Sequence, residues 1–437
     1  MHVSHSGVSR TLLALTLAVA LAACMDEPMP TDPIRKIEPQ FGVGDAITVT
    51  NTSGGTGIGS LRWAISQMTG GEVIRFDPSL AGKTIVLDTT VVTAKSVTIE
   101  GPAQGITISG GGVISVFAFV GSSSDTARIR NLTITGGKLT NYSGAGIYAH
   151  YTTLIVENSV ITGNEAGAFP AILGEDVTLI NTTVSGNRLN GTIVYPYAAV
   201  GVDELTMVNS TIAHNASAGV NGTMVMRNSV LSDNDYQNCS GTITREGNNI
   251  SDDDSCGAPF EIIIADPLLG PLADNGGPGN THALLAGSPA INGGTSCTVN
   301  VDQRYVARDA QCDLGAFEFI DFTTVQITMA ASASIDKSNG WAVLTGTVKC
   351  SRNETFDLYV ELHQTQKIDK SSIDVHAAAT TPIVCSTSVL PWTIALVTTD
   401  EPFETGSGSA TVGMLNAEPW IKPASLSQDV KLVRARK

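Results

Sequence analysis

Only 15% of the 437 residues are charged, and basic side chains are outnumbered, 25 Lys and Arg against 41 Asp and Glu. The formal net charge of −16 excludes the basic face that nucleic-acid binders carry. Few charges, few Lys, and 44 Gly alongside much Thr, Ser and Asn disfavour a helical protein. No C-x-x-C occurs, and of seven His only five remain beyond His2 and His5, all scattered, so a zinc site is disfavoured. Gly-x-Ser-x-Gly, His-Glu-x-x-His and the P-loop are missing as well. Outside residues 12–23 no apolar stretch approaches membrane length. What is present is a hydrophobic share of 42%, enough for a packed core, and a length that calls for two or three domains.

The cysteine count is odd, seven, and the N-terminus accounts for it. Arg10 precedes an apolar run, Leu12 to Ala23, too short to span a bilayer but suited to a signal peptide. The run ends in Leu21-Ala22-Ala23-Cys24, which resembles the bacterial lipobox. The resemblance implies cleavage after residue 23 and a diacylated Cys24, and two or three acyl chains anchor a protein stably. In that family an Asp after the Cys favours the inner membrane; Met25 stands there, which points to the outer membrane and to surface exposure. Residues 24–44, rich in Pro and charge, read as a tether. Six cysteines remain for an oxidising compartment. Pairing sequence neighbours gives 239–256, 297–312 and 350–385 (Cys239, Cys256, Cys297, Cys312, Cys350, Cys385), one of fifteen possible connectivities.

The middle of the chain repeats. Asn131-LTITGG, Asn158-SVITGN, Asn181-TTVSGN, Asn209-STIAHN and Asn228-SVLSDN share one template, at spacings of 27, 23, 28 and 19 residues. Each unit is a short β-branched strand ended by Gly or Asn. Such a period signals a solenoid, and a WD-type blade needs about 40 residues per unit. The expected fold is a right-handed parallel β-helix, with Val, Ile and Leu stacked inside at about 4.8 Å per coil. The asparagines at the strand starts are expected to form a side-chain amide ladder. A second set, Asn164, Asn187, Asn215 and Asn234, is expected to tolerate the turn backbone six residues later. Weaker coils show at Thr84–Leu87, Val97–Glu100 and Ile106–Ser109, and residues 45–264 have room for roughly nine coils.

Solenoid ends need caps. Ser60-LRWAISQM reads as an N-terminal cap helix with Leu61, Ala64, Ile65 and Met68 on one face and Ser60 as its N-cap. The stretch ITVTNTSGGTGIGSLRWAI, followed by GGEVIRFDPSLAGKTIVL, resembles the opening of secreted right-handed β-helix proteins, some pectate lyases among them. DPLLGPLADNGGPGNTHALLAGSPAINGG, with Asp302-Gln303-Arg304 and Cys312-DLGAFE, resembles the end of bacterial choice-of-anchor β-helix surface proteins and of polymorphic outer-membrane repeat proteins. The likeness spans residues 45–319. It implies a cell-surface β-helix of pectate-lyase-like fold, closed by residues 266–319, in a family with no assigned reaction.

From residue 320 to 437 the composition changes to alternating strands, six or seven in about 110 residues, which read as an immunoglobulin-like β-sandwich. T-G-T-V-K-C and P-W-T resemble the Ig-like modules of exported bacterial proteins. Cys350–Cys385 would staple this domain, with Trp392 or Trp341 in its core.

The residues admit either an active site or a binding surface. Glycoside hydrolysis needs two carboxylates facing one bond. Asp233 and Asp235 lie about one coil from Asp252-Asp253-Asp254, close enough to share a Ca²⁺ through oxygen ligands. They also flank Cys239 and Cys256, as a solvated acidic turn would. The Arg-x-Pro-x-x-Arg motif of pectate lyases and the acid motifs of polygalacturonases are absent. Asp302 and Arg304 read as a structural ion pair, and His150 and His214, on neighbouring repeat units, as turn residues. Tyr142, Tyr148, Tyr151, Tyr195 and Tyr197 fall in the expected turns, where they either stack on sugars or merely cover coil edges. Residues 25–320 carry 14 basic and 29 acidic side chains, net −15, and residues 321–437 carry 10 and 12, net −2. Such a solenoid repels polyanions unless calcium bridges them. The reading is therefore a lipid-anchored scaffold, an adhesin for a neutral glycan or a surface protein, without catalysis and without nucleic acid. The alternatives are a polysaccharide lyase or hydrolase and a structural envelope protein.

Overall fold

The computed structural model describes residues 46–191, 197–368, 371–398, 401–417 and 421–435. Cys24, the tether and Tyr195 lie outside the described residues. The chain divides into two compact units between Phe322 and Thr323.

The first unit is a parallel β-solenoid. One coil shows how the repeat builds it. The strand Ile147–Glu157 belongs to a long first sheet, Val160–Thr162 to a second, and Glu165–Ala168 to a short third. The next coil begins at Ile172–Ile180, which pairs in parallel with the strand a coil earlier, Ile147 beside Ile172 and Leu154 beside Val177. Period-2 alternation sends every second residue inward. Leu154, Val177, Leu205 and Met224 therefore form one column, and Ile161, Val184, Ile212 and Leu231 another, all buried. Full burial of such side chains stabilises by about 1.5–3 kcal/mol each.

The two asparagine sets exchange the roles expected of them. Asn131, Asn158, Asn181, Asn209 and Asn228, which turn the chain from the first sheet to the second, have φ between 45° and 57°. Asn is among the few non-glycine residues that adopt this left-handed conformation readily; here its side chains bond the strap or a neighbouring coil. Within this set a single direct amide contact occurs among the described residues, Asn181 Nδ2 to Asn158 Oδ1 at 3.1 Å. The ladder belongs to the second set. Asn164 donates to Asn187 at 3.0 Å, Asn187 to Asn215 at 3.0 Å, and Asn215 to Asn234 at 2.8 Å. These side chains point into the coil and are fully buried up to Asn215, where an unpaired amide would cost the most.

The helix Leu61–Gln67 sits at the N-terminal end. Ser60 Oγ accepts the Trp63 N–H at 3.1 Å, and Leu61, Ala64 and Met68 are buried.

Residues 266–319, expected to close the far end, instead run along the flank as a strap over the second sheet. Gln303 Oε1 accepts from Thr183 Oγ1 at 2.6 Å, the Ala316 N–H donates to Thr211 Oγ1 at 3.1 Å, and Val301 O accepts from Asn181 at 2.8 Å. Tyr305 OH bonds Asn131 and Asn158, and Asn228 and Thr295 bond each other twice. The strap thus takes up the side chains that the left-handed turns leave free. With a core on one side and a strap on the other, the strands Thr183–Ser185, Thr211–Ala213 and Val230–Ser232 are buried at every position. The last coil is stapled by Cys239–Cys256 and the strap by Cys297–Cys312, two of the expected pairs.

The second unit is predominantly antiparallel. Its eight described strands run from Val325–Met329 to Ser425–Arg434. That exceeds the six or seven expected, and Ser332–Ile335 pairs with Ser425–Arg434 in parallel. Cys350–Cys385 is formed. Trp392 fills the core beside Phe356, Leu358 and Leu396, whereas Trp341 is 39% exposed.

Candidate functional site

The outer face of the first sheet holds Tyr148 and Tyr151. The strand Ile147–Glu157 turns Ile147, Ala149, Leu154 and Val156 inward and Tyr148 and His150 outward. Its register with the preceding strand shifts between His150 and Thr152, so Tyr151 forms a bulge with φ 51°. Bulges re-aim side chains, and this one swings the Tyr151 ring onto His150, centroids 3.9 Å apart. Tyr148 stacks on the other side at 5.8 Å and 12°. Tyr148 and Tyr151, expected in turns, thus stand on a strand, in a row of three rings.

Glu175, one coil on, holds the row. His150 Nδ1 lies 2.6 Å from Glu175 Oε1, and the Tyr151 N–H donates to Oε2 at 2.9 Å. An ionised carboxylate accepts only, so Nδ1 is the donor in this bond. The sequence reading missed Glu175. Its spacing of 25 residues from His150 equals one coil, the signal that marks stacked neighbours.

The row continues downward. Tyr148, Leu173 and Gly201 are register neighbours on successive coils. Gly201 is covered by the Phe169 ring: an added Cβ would stand 2.3 Å from a ring carbon. Tyr197 meets Phe169 edge-on at 5.5 Å. Two coils at about 4.8 Å each separate Tyr148 from Gly201, so the aromatic surface spans three coils. Tyr142 is apart from it, in the third sheet, and 71% exposed.

Carboxylates border this surface. Asp176 and Glu204 are register partners on adjacent strands, both exposed, and Thr153 Oγ1 donates to Asp176 at 2.9 Å. Asp125 receives hydrogen bonds from Ser122 and Ser96, which hold its carboxyl below the usual range.

The acids singled out for calcium do gather at the far end. Asp252 Oδ2 accepts the Asp233 N–H at 2.8 Å, and its Oδ1 accepts from Asn238. Asp253 caps Asn238 and Ser255. No hydrogen bond ties the Asp235 and Asp254 carboxylates to the others among the described residues. Carboxylate oxygens here serve the turn, and among the described residues no group of three or more His, Cys, Asp or Glu could hold a metal ion. An open cavity of about 440 Å³ beside Arg245 and Asp254 is equally committed: Arg245 donates to Cys256 O at 2.8 Å and pairs with Glu261 at 3.4 Å.

His150 and His214 do not meet. His214 lies in a left-handed turn, φ 55°, and faces His282 of the strap, ring centroids 4.9 Å apart. The strap's own charges are structural: Arg304 bonds Asp302 at 2.6 Å and covers the Phe317 ring, while Arg308 bonds Glu318 at 2.9 Å, all buried.

A family model described as right handed beta helix region matches residues 84–258. No curated protein matches the chain. Among solved structures, the enzymatically active domain of tailspike protein 4 from bacteriophage CBA120 aligns at 12% identity over 76% of this chain, with a TM-score of 0.15. The chain spans 61% of that structure's length. At that score the likeness carries no argument about activity.

Proposed function

We propose that this protein is a surface-exposed binding scaffold, lipid-anchored at Cys24 and held off the membrane by residues 25–44. The first sheet is its ligand face, and the ligand is an extended, uncharged glycan. One observation carries the reading: Tyr148, His150 and Tyr151 stack in a row fixed by Glu175, on the outward face of a rigid sheet. Aromatic rings presented with a polar tip suit sugar faces, and a site on strands is held more tightly than one on loops. The C-terminal unit is an immunoglobulin-like module. Supporting this, Leu390–Leu396, Ala342–Cys350 and Val325–Met329 lie side by side, as do Ser425–Arg434, Gly406–Leu415, Glu354–Ile368 and Ser371–Cys385. That matches the E-B-A and G-F-C-C′ arrangement.

The rival reading is hydrolysis, and one observation favours it. Asp176 and Glu204 stand on adjacent strands in register, two carboxylates beside the aromatic row, as glycoside cleavage requires. The mature chain titrated with a panel of neutral and acidic oligosaccharides, with and without Ca²⁺, decides between them. Binding without chain cleavage, lost in Tyr148→Ala and Tyr151→Ala, is expected. Cleavage abolished by Asp176→Asn or Glu204→Gln overturns the scaffold reading. Protease shaving of intact cells checks the surface location: a chain left whole faces the periplasm.

A further inference from the structure

We propose that the strap is acid-releasable: protonation of His282 undocks the hairpin Leu269–Leu284 from the second sheet. This hairpin pairs Leu269–Ala273 with Thr281–Leu284, Leu272 opposite His282. It rests on a small apolar cluster, Leu284 with Val230 and Ile250. Its polar anchor is His282, 3% exposed. Nδ1 donates to Gly270 O at 2.8 Å, which fixes the neutral tautomer, and Nε2 therefore accepts from Ser185 Oγ, also at 2.8 Å. A proton on Nε2 turns that acceptor into a donor, so the Ser185 hydroxyl must swing its own proton away to accept, and the ring becomes a buried cation with no carboxylate bonded to it among the described residues. The charged groups facing the ring are His214, at 4.9 Å between centroids, and Asp233, 3.8 Å from His214 Nε2. A charged His282 would thus stand, buried, against a second imidazole that faces an exposed carboxylate, Asp233.

Burial, with the neighbouring His214, lowers the His282 pKa from 6.5 to about 4, partly opposed by its bond to the Gly270 carbonyl and by Asp233. The sign follows from linkage. The docked state favours neutral imidazole, so docking is complete above pH 6.5 and weakens as pH falls through 4. Those two values weaken docking about thirtyfold at pH 5 and by about two orders of magnitude at pH 4.

Hydrogen exchange of the full chain, corrected for the intrinsic pH dependence of exchange, tests this. Amides of residues 269–284 are expected to lose protection at least tenfold between pH 7 and pH 4, while residues 147–157 keep theirs. His282→Gln, neutral throughout, should hold its pH 7 protection at pH 4. If that variant is already loose at pH 7, His214→Gln decides. It leaves every His282 hydrogen bond in place, removes the facing charge, and should show a smaller acid loss than the wild type. Wild-type protection that is constant to pH 4 overturns the proposal. So does a His282→Gln chain that loosens with acid as the wild type does, or a His214→Gln chain with an undiminished loss.

Discussion

Replacing Asn187 tests which asparagines hold the coils together. Its side chain is fully buried. Nδ2 donates to Ile161 O at 2.9 Å, Ser185 O at 3.2 Å and Asn215 Oδ1 at 3.0 Å. Oδ1 accepts from Asn164 N at 3.1 Å and Asn164 Nδ2 at 3.0 Å. Asn187→Ala orphans the Asn164 N–H, at about 1–3 kcal/mol, and deletes further bonds worth about 0.5–1.5 kcal/mol each. The expected loss is about 4 kcal/mol, a large part of a domain's net stability. Asn158 is the comparison. It is half-buried with φ 46°, and its side chain bonds Asn181 and Tyr305. Glycine adopts that φ freely, so Asn158→Gly should cost only about 1 kcal/mol, and Asn187→Gly at least about 3 kcal/mol more, because it forfeits the ladder and adds backbone entropy. Urea unfolding of the full chain measures both, with hydrogen exchange assigning the transition to the solenoid, since two units need not unfold together. Coils couple to their neighbours, so the Asn187 loss should be centred on residues 158–164 and 211–216. Equal costs at the two positions, or a higher cost at Asn158, would refute the assignment of the ladder to the buried set.

Gly201→Ala should displace the Phe169 ring and weaken glycan binding severalfold, with thermal stability lowered by about 1–3 kcal/mol from overpacking; unchanged binding in a calorimetric titration would remove Phe169 from the ligand face. Burial pushes the Glu318 carboxyl from 4.5 up to about 7, against the pull of Arg308. Its folded pKa is the higher one, so its contribution is complete below pH 4.5 and is lost as pH rises through 7. That amounts to about 3 kcal/mol, and Glu318→Gln should flatten the pH dependence of unfolding in this window. Removing the Cys239–Cys256 bond as a double Ser variant opens a loop of 17 residues. The cost should be about 3 kcal/mol, with exchange rising in the last coil and unchanged near the helix Leu61–Gln67.

Much of this protein is legible before it folds. The strands of the coils were marked by β-branched triplets between Asn and Gly. The cap helix was marked by Ser60 and a four-residue apolar face. Pairing of sequence neighbours matched all three disulfides, because each pair closes a short loop. These signals are local or repeat at a nearly fixed period, and a solenoid converts such a period directly into contacts between neighbouring coils.

What the period cannot carry, the tertiary structure decided. Both asparagine sets repeat with the same spacing, and only the coil's inward direction makes one a ladder and the other a row of left-handed turns. Residues 266–319 read in sequence as a closing segment, because nothing in their own sequence names the distant partners that make them a strap. Thr183 and Gln303 are 120 residues apart, and Asn131 and Tyr305 174. The bulge that brings Tyr151 onto His150 is a shift of register, a property of two strands together. Sequence pattern specifies which face of a strand turns inward; which distant side chains meet on the outward face depends on how the whole chain packs.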